Sequence, residues 1–236
     1  SFMVDSNSVT PMRVQIFIDG GNFHHLALKS LGIKAVEFDF DAFALFLADG
    51  RTVTEMGKRY YVGTVREKEG DERSKQVMAR QTQLFNTLKK TAWQIKTSKL
   101  RERSERIFID SRVDDFQTIK KKGVSEIVYK TFREKGIDVK IATDLVAGAL
   151  DDKYDAAILV SSDTDLVPMV DWIRFRLNKK VEYIGFSIPD ASGKGNDVKP
   201  TQALISRTDV QRVLVESDVR RFLLPSQPSI LDATSL

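Results

Sequence analysis

The chain contains no cysteine. That absence excludes disulfide-stapled scaffolds, thiolate zinc sites, cysteine nucleophiles and iron–sulfur clusters together, and it suits a reducing cytoplasm. Histidine is nearly absent too, with only His24 and His25 present, so most zinc enzymes fall away. Any catalytic metal would have to be held by oxygen, which points to Mg²⁺ or Mn²⁺. No apolar run approaches the ~20 residues that a membrane span requires. The opening SFMVDSNSVTP lacks the basic and apolar regions of a secretory signal, and Ser1-Phe2 ahead of Met3 reads as a cloning remnant. The expectation is a cytoplasmic protein with no membrane partner. Nor is there a phosphate-binding GxxxxGK[ST] loop, because Gly193-Lys194-Gly195 has neither the spacing nor the following hydroxyl residue.

What is present is enough for one elaborated domain: 236 residues, 42% of them hydrophobic and 30% charged. The net charge of +4 is unevenly spread. Residues 51–106 carry 15 Lys+Arg against 7 Asp+Glu, which leaves the rest of the chain net negative. A basic segment on an acidic body attracts polyanions and releases their counterions on binding. The alternating run Arg101-Glu102-Arg103-Ser104-Glu105-Arg106 reads as a solvated face. Lys120-Lys121-Lys122, ahead of Gly123, reads as a phosphate-gripping loop. Charge alone does not separate RNA from DNA or from an acidic protein as the partner, and a homodimer is compatible with the sequence.

Hydrophobic patterning predicts strands alternating with helices. The run RVQIFI at 13–18 is a strand that ends at the turn cluster Asp19-Gly20-Gly21-Asn22, and FHHLALKSL continues as helix. A helix follows through DFDAFALFLADG, capped by Asp39 or Asp41 and stopped by Gly50. Further strands are expected at 58–65, 92–97, 155–162 and 180–186, and helices at 67–90, 124–135, from about 138, and at 163–177. Residues 98–123 read as a basic insertion or surface hairpin. Beyond the loop at 187–200, residues 201–224 read as a terminal helical cap, and the tail PSQPSILDATSL frays or docks on a partner. This pattern makes an α/β fold with a mostly parallel sheet covered on both faces.

The chemistry lies in aspartates at strand ends. In an open parallel sheet, ligands sit beyond the carboxyl ends of the strands where the strand order reverses. Asp19 ends the first strand and Asp163 ends the strand AAILVSS, with Asp165 two residues on. Helix capping and turn chemistry explain each of these alone; their joint placement favours a site. Between them, KGIDVKIATDLVAGAL supplies Asp138 and Asp144. As a helix from Asp138, this segment puts an aspartate at the head of an apolar stripe (141, 142, 145, 146, 149) and turns Asp144 away. As a strand through Ile137, Val139 and Ile141, with Thr143 or Asp144 as cap, it makes Asp144 the residue facing the site. Crowded carboxylates repel, so the arrangement makes sense with divalent cations. Asn22, Ser161 and Ser162 could orient a water or a phosphate oxygen, whereas His24 and His25 read as packing or rim residues.

The set Asp19-Gly20-Gly21-Asn22, then Lys135-Gly136-Ile137-Asp138-Val139 with Asp144, then Ser161-Ser162-Asp163-Thr164-Asp165-Leu166 resembles the NYN (LabA-like) domain of the PIN-like nuclease superfamily. The likeness covers residues 12–186, with 98–123 as an insertion and 187–236 outside it. It implies a Rossmann-like sheet and a Mg²⁺- or Mn²⁺-dependent ribonuclease. It also implies metal-ligand and catalytic roles for Asp19, Asp138 and Asp163, with Asp144 and Asp165 as supporting acids. Ser162 stands where the family usually has glycine. Two rivals remain: a catalytically silent RNA- or protein-binding module on the same fold, and a haloacid-dehalogenase-type phosphatase. The phosphatase needs an Asp-x-Asp after the first strand, where this chain has Asp19-Gly20-Gly21-Asn22.

Overall fold

The structure, a computed structural model, describes residues 11–64, 70–134, 136–193 and 195–225, with backbone alone at 100–102 and 132–134. Lys135 of the Lys-Gly-Ile-Asp stretch, residues 65–69 at the end of the expected strand 58–65 and the start of the expected helix 67–90, Lys194 and the tail beyond Pro225 lie outside the described residues. Seven strands form one sheet: β1 (Arg13–Asp19), β2 (Thr52–Thr64), β3 (Gln94–Phe108), β4 (Glu126–Glu134), β5 (Ala156–Val160), β6 (Lys180–Ser187) and β7 (Val210–Val215). Their order is β4-β3-β2-β1-β5-β6-β7, and every pairing is parallel except β3 with β4. The helices are α1 (Gly20–Phe23), α2 (Phe40–Ala48), α3 (Glu72–Lys90), α4 (Phe116–Lys121), α5 (Ile137–Leu150), α6 (Val167–Leu177), α7 (Gln202–Arg207) and α8 (Glu216–Arg220). The α/β architecture read from the alternation is the one observed.

The central strands are buried on both faces, so they are continuous apolar runs rather than alternating ones. Val14 to Ile18 and Ala156 to Val160 are all buried. Successive side chains point to opposite faces. Val14, Ile16 and Ile18 therefore join one core with Phe23, Phe43 and Leu47, where Phe23 stacks on Phe43 at 5.5 Å. Phe17 joins the other core, with Tyr61, Ile141, Leu145 and Ile173. Two helical layers thus clamp the sheet. The chain steps outward from β1 to β2 and β3, then returns to the other flank for β5, β6 and β7. The order reverses between β1 and β5, and there the carboxyl ends open a crevice.

Three segments differ from expectation. Residues 124–135 are not a helix but contain β4. Its neighbours in the sheet leave Ile127, Val128 and Tyr129 at least two-fifths exposed, so no buried face imposes a clean period on the sequence. The expected insertion at 98–123 is the outer half of β3 together with α4. Pairing between β2 and β3 ends at Lys99, whereas β3 and β4 continue as a two-stranded ribbon from Leu100↔Glu134 to Phe108↔Glu126. At about 3.3 Å per residue, this ribbon projects roughly 30 Å. The expected terminal helical cap consists of α7 and α8 flanking β7, whose run VQRVLV completes the sheet. Boundaries moved elsewhere: β2 begins at Thr52, with Met56 at φ 56°, and α3 begins at Glu72, capped by the Asp71 carboxylate accepting from the Arg73 amide at 3.1 Å. Asp39, not Asp41, caps α2, accepting from the amides of Asp41 and Ala42.

Candidate active site at the sheet edge

Asp19 closes β1 and caps α1 at once. Its Oδ1 accepts the Asn22 amide at 3.0 Å, because the Gly20-Gly21 step turns the chain tightly back over the strand end. Gly20 is required by contact: a Cβ there would sit 2.3 Å from the Tyr60 ring. Directly after α1, residues His24–Leu28 widen into a π turn, a feature often found near functional sites.

The second strand end, after β5, is sewn to the first. The Ser161 hydroxyl, 1% exposed, donates to Asp19 Oδ2 at 3.4 Å and accepts the Asp163 amide at 3.2 Å. The Ser162 amide donates to Asn22 Oδ1 at 3.0 Å. Asp163 then caps the 3₁₀ turn Thr164–Leu166, its Oδ1 accepting the Asp165 amide at 2.9 Å. The structure therefore brings Asp19, Asn22, Ser161, Ser162, Asp163 and Asp165 together at the point where the strand order reverses.

Two residues in this frame carry no obvious sequence signal. Tyr183 of β6 lies 3.3 Å from the Ser162 hydroxyl and accepts the Thr201 amide at 3.0 Å, while Thr201 donates its hydroxyl to the Ser162 carbonyl at 3.1 Å. The hydroxyl that Ser162 adds at the family's glycine position is thus held in a polar niche. Tyr183 reads as one more apolar residue of a buried strand, and its hydroxyl's role appears only once β6 lies beside β5.

The helical parse of residues 137–150 holds. Asp138 sits in the first turn of α5, half-buried, without a hydrogen bond or ion pair among the described residues. Because α5 leads into β5, its N-terminus lies at the carboxyl edge of the sheet, and it packs against the Thr164–Leu166 turn. Asp144 has a different fate. It accepts the Tyr61 hydroxyl at 2.7 Å, meets Arg59 at 3.2 Å and Lys96 at 4.0 Å, and lines a polar cavity of about 500 Å³ with Gln15 and Arg59. Burial, reinforced by this carboxylate, pushes the Tyr61 phenol well above its ordinary pKa, so Tyr61 stays a donor. Among the described residues, no three acidic or histidine side chains converge as a ready metal nest.

Lys120 and Lys121 occupy the last turn of α4, and Lys122 follows it with Gly123 at φ 83°. They form a helix end instead of the expected loop, exposed beyond the ribbon. Since β3 runs parallel to β1, the ribbon rises from the same carboxyl edge that bears Asp19 and Asp163.

A profile of the NYN domain matches residues 13–209. The chain belongs to the NYN domain family. As an NYN domain it carries the PIN-like, nuclease-type fold, and the three motifs of the resemblance fall within the matched span. Among solved structures it is similar to a protein of unknown function, VPA0982, from Vibrio parahaemolyticus RIMD 2210633. The TM-score is 0.52 at 21% identity, covering 92% of this chain and 99% of that one, a likeness of fold alone. No curated protein matches the NYN chain. No helix among its described residues is long and apolar enough to cross a membrane.

Proposed function

We propose that this NYN domain is a divalent-metal-dependent ribonuclease that hydrolyses RNA phosphodiester bonds at the β1–β5 crevice. The observation that carries the reading is the stitching of the two strand ends. Ser161 bridges Asp19 to the Asp163 backbone, and Asn22 ties down Ser162, so two carboxylates, one ending β1 and one capping the turn that follows β5, are held at one crevice.

The donor set suits the implied metal. All the groups are oxygens, and Mg²⁺ commonly binds through one or two carboxylates while keeping several waters and taking substrate phosphate oxygens. Asp19 and Asp163 would hold the ion, with Asp138 and Asp165 as neighbouring carboxylates. When bound, such an ion lowers the pKa of a coordinated water and offsets charge on the phosphate. The chain's own residues supply the rest. Ser161 fixes the Asp19 carboxylate by donating to one oxygen, and the Asn22 amide fixes the other. Asn22 spends its side-chain oxygen on Ser162, which leaves its NH₂ to donate to a phosphate oxygen. The ribbon rises from the same edge, with Arg103 and Lys130 in its inner half and Lys120–Lys122 at its far tip, where they can grip RNA that extends from the crevice.

The test is cleavage of single-stranded and structured RNA in Mg²⁺ or Mn²⁺ by the wild type and by Asp163→Asn, with thermal melts as folding control. Loss of cleavage in a folded variant is the expected result, and equal activity removes the mechanism. A second reading, an RNA-binding module that does not turn over, is favoured by one observation: Asp144 is ion-paired with Arg59 and hydrogen-bonded by Tyr61 rather than joined to the other acids. RNA binding that persists in EDTA, with no cleavage under any divalent ion, supports that reading.

A further inference from the structure

A second cavity, of about 550 Å³, begins at Gly20 and Gly21, the residues next to Asp19. It runs between the α1 turn, the loop after it, the carboxyl half of β2 and α3. Its walls are apolar, built from Ile33, Val36, Tyr60, Val62, Val77 and Leu84. The volume lies within the roughly 300–1,000 Å³ of small-ligand pockets, which combine apolar walls with a few polar groups. Two exposed cations line it, Lys29 and Arg80; neither makes a close ion pair or a side-chain hydrogen bond among the described residues, and Arg80 lies near enough to Glu37 to help Lys34 hold that carboxyl below its ordinary pKa. A third, Lys34, is paired with Glu37 at 2.8 Å.

We infer that this cavity is a nucleobase subsite: it takes up an unpaired base of the RNA whose phosphate lies at Asp19, while Lys29 and Arg80 meet the adjoining phosphate. The inference rests on the nuclease reading for the identity of the chain it receives. Three features argue for this occupant. The apolar walls accept the face of any base. The exposed Lys29 and Arg80 complement a phosphate, which an apolar peptide side chain would not supply. Gly20 and Gly21 make the pocket continuous with the carboxylate edge. A base held in a duplex cannot reach such a pocket, so the substrate at this position is single-stranded or splayed out.

The experiment is an NMR titration of the full chain in EDTA with AMP, GMP, CMP, UMP and, as the base-free probe, ribose 5-phosphate. The expected result is amide shifts at Gly20, Gly21 and Val62, with at least one nucleotide binding about fivefold or more tightly than ribose 5-phosphate. Val77→Trp fills the cavity from the 38%-exposed side of α3 and abolishes that difference, and Arg80→Ala weakens every phosphate-bearing probe. Equal binding of nucleotides and ribose 5-phosphate, shifts confined to the ribbon, or an unaffected Val77→Trp overturns the inference. Because the titration contains no metal and reads no cleavage, it is separable from the nuclease reading. Base uptake without turnover retires the nuclease and keeps the pocket, and turnover without base uptake does the reverse.

Discussion

Replacing Asp144 and Asp138 separately by Asn divides structure from catalysis within one helix. Asp144 is 20% exposed on its side chain and faces Arg59, 16% exposed, at 3.2 Å, with the Tyr61 hydroxyl at 2.7 Å. Asn keeps the shape but removes the charge, leaving the guanidinium, whose Nε already lacks a partner, without its counter-ion. Hydrogen bonds to charged groups contribute about 1.5–3 kcal/mol, and breaking a fully buried ion pair costs about 3–5 kcal/mol. Partial exposure and the second cation, Lys96, place Asp144→Asn near the lower range, at about 2 kcal/mol. For a domain of this size that is a fall in Tm of roughly 4–8 °C. Asp138 has no hydrogen bond or ion pair to lose among the described residues, so Asp138→Asn is expected to change stability by less than about 0.5 kcal/mol. Thermal melts in EDTA read stability, and Mn²⁺-dependent RNA cleavage at a temperature where both variants are folded reads activity. The account predicts an unstable but active Asp144→Asn and a stable but impaired Asp138→Asn. The reverse pattern, Asp144→Asn at wild-type Tm without cleavage, refutes the assignment of Asp144 to the Arg59–Tyr61 cluster.

Asn22→Ala removes the acceptor for the Ser162 amide, so stability should drop by about 1 kcal/mol and cleavage should fall as the two strand ends separate; urea titration and cleavage assays read each. Acid should act through Asp155, whose carboxyl is held below its ordinary pKa by the Arg13 guanidinium, against the opposing effect of burial. A depressed native pKa gives stability that is present above the unfolded value near ~3.9 and is lost as pH falls through the native value. The Tm gap between wild type and Arg13→Met should therefore narrow as pH falls below about 5 and through the unfolded value, and a constant gap contradicts this. Replacing Lys120, Lys121 and Lys122 by Ser should weaken RNA binding and shallow the slope of log K against log salt by about 2, at roughly 0.7 per phosphate contact on a single strand; an unchanged slope means the ribbon tip does not touch RNA.

The parts of the fold legible in the sequence are those where burial is complete. Strands β1 and β5 are unbroken apolar runs because helices cover both faces, and such runs place Asp19 and Asp163 at their ends without knowledge of the tertiary structure. Strand β4 was not legible, because ribbon residues exposed on both faces mix Lys130 and Glu126 with Ile127 and Val128 and favour neither period. The candidate site was readable to the same extent. Residues fixed by their own strand or turn, Asp19, Asn22, Ser161 and Asp163, converge as the motif spacing suggested. The status of Asp144 depends on α5 meeting Arg59 and Tyr61 across the sheet, more than eighty residues earlier in the chain, and Tyr183 depends on β6 lying beside β5. Contacts of that kind leave no local pattern.

Mn²⁺ binding, followed by electron paramagnetic resonance on the wild type and on Asp19→Asn, Asp163→Asn and Asp144→Asn, addresses the central claim without relying on turnover. The account predicts that binding is lost or weakened at least about tenfold when either strand-end aspartate is changed, and is retained in Asp144→Asn. Undiminished Mn²⁺ binding in both Asp19→Asn and Asp163→Asn would contradict it.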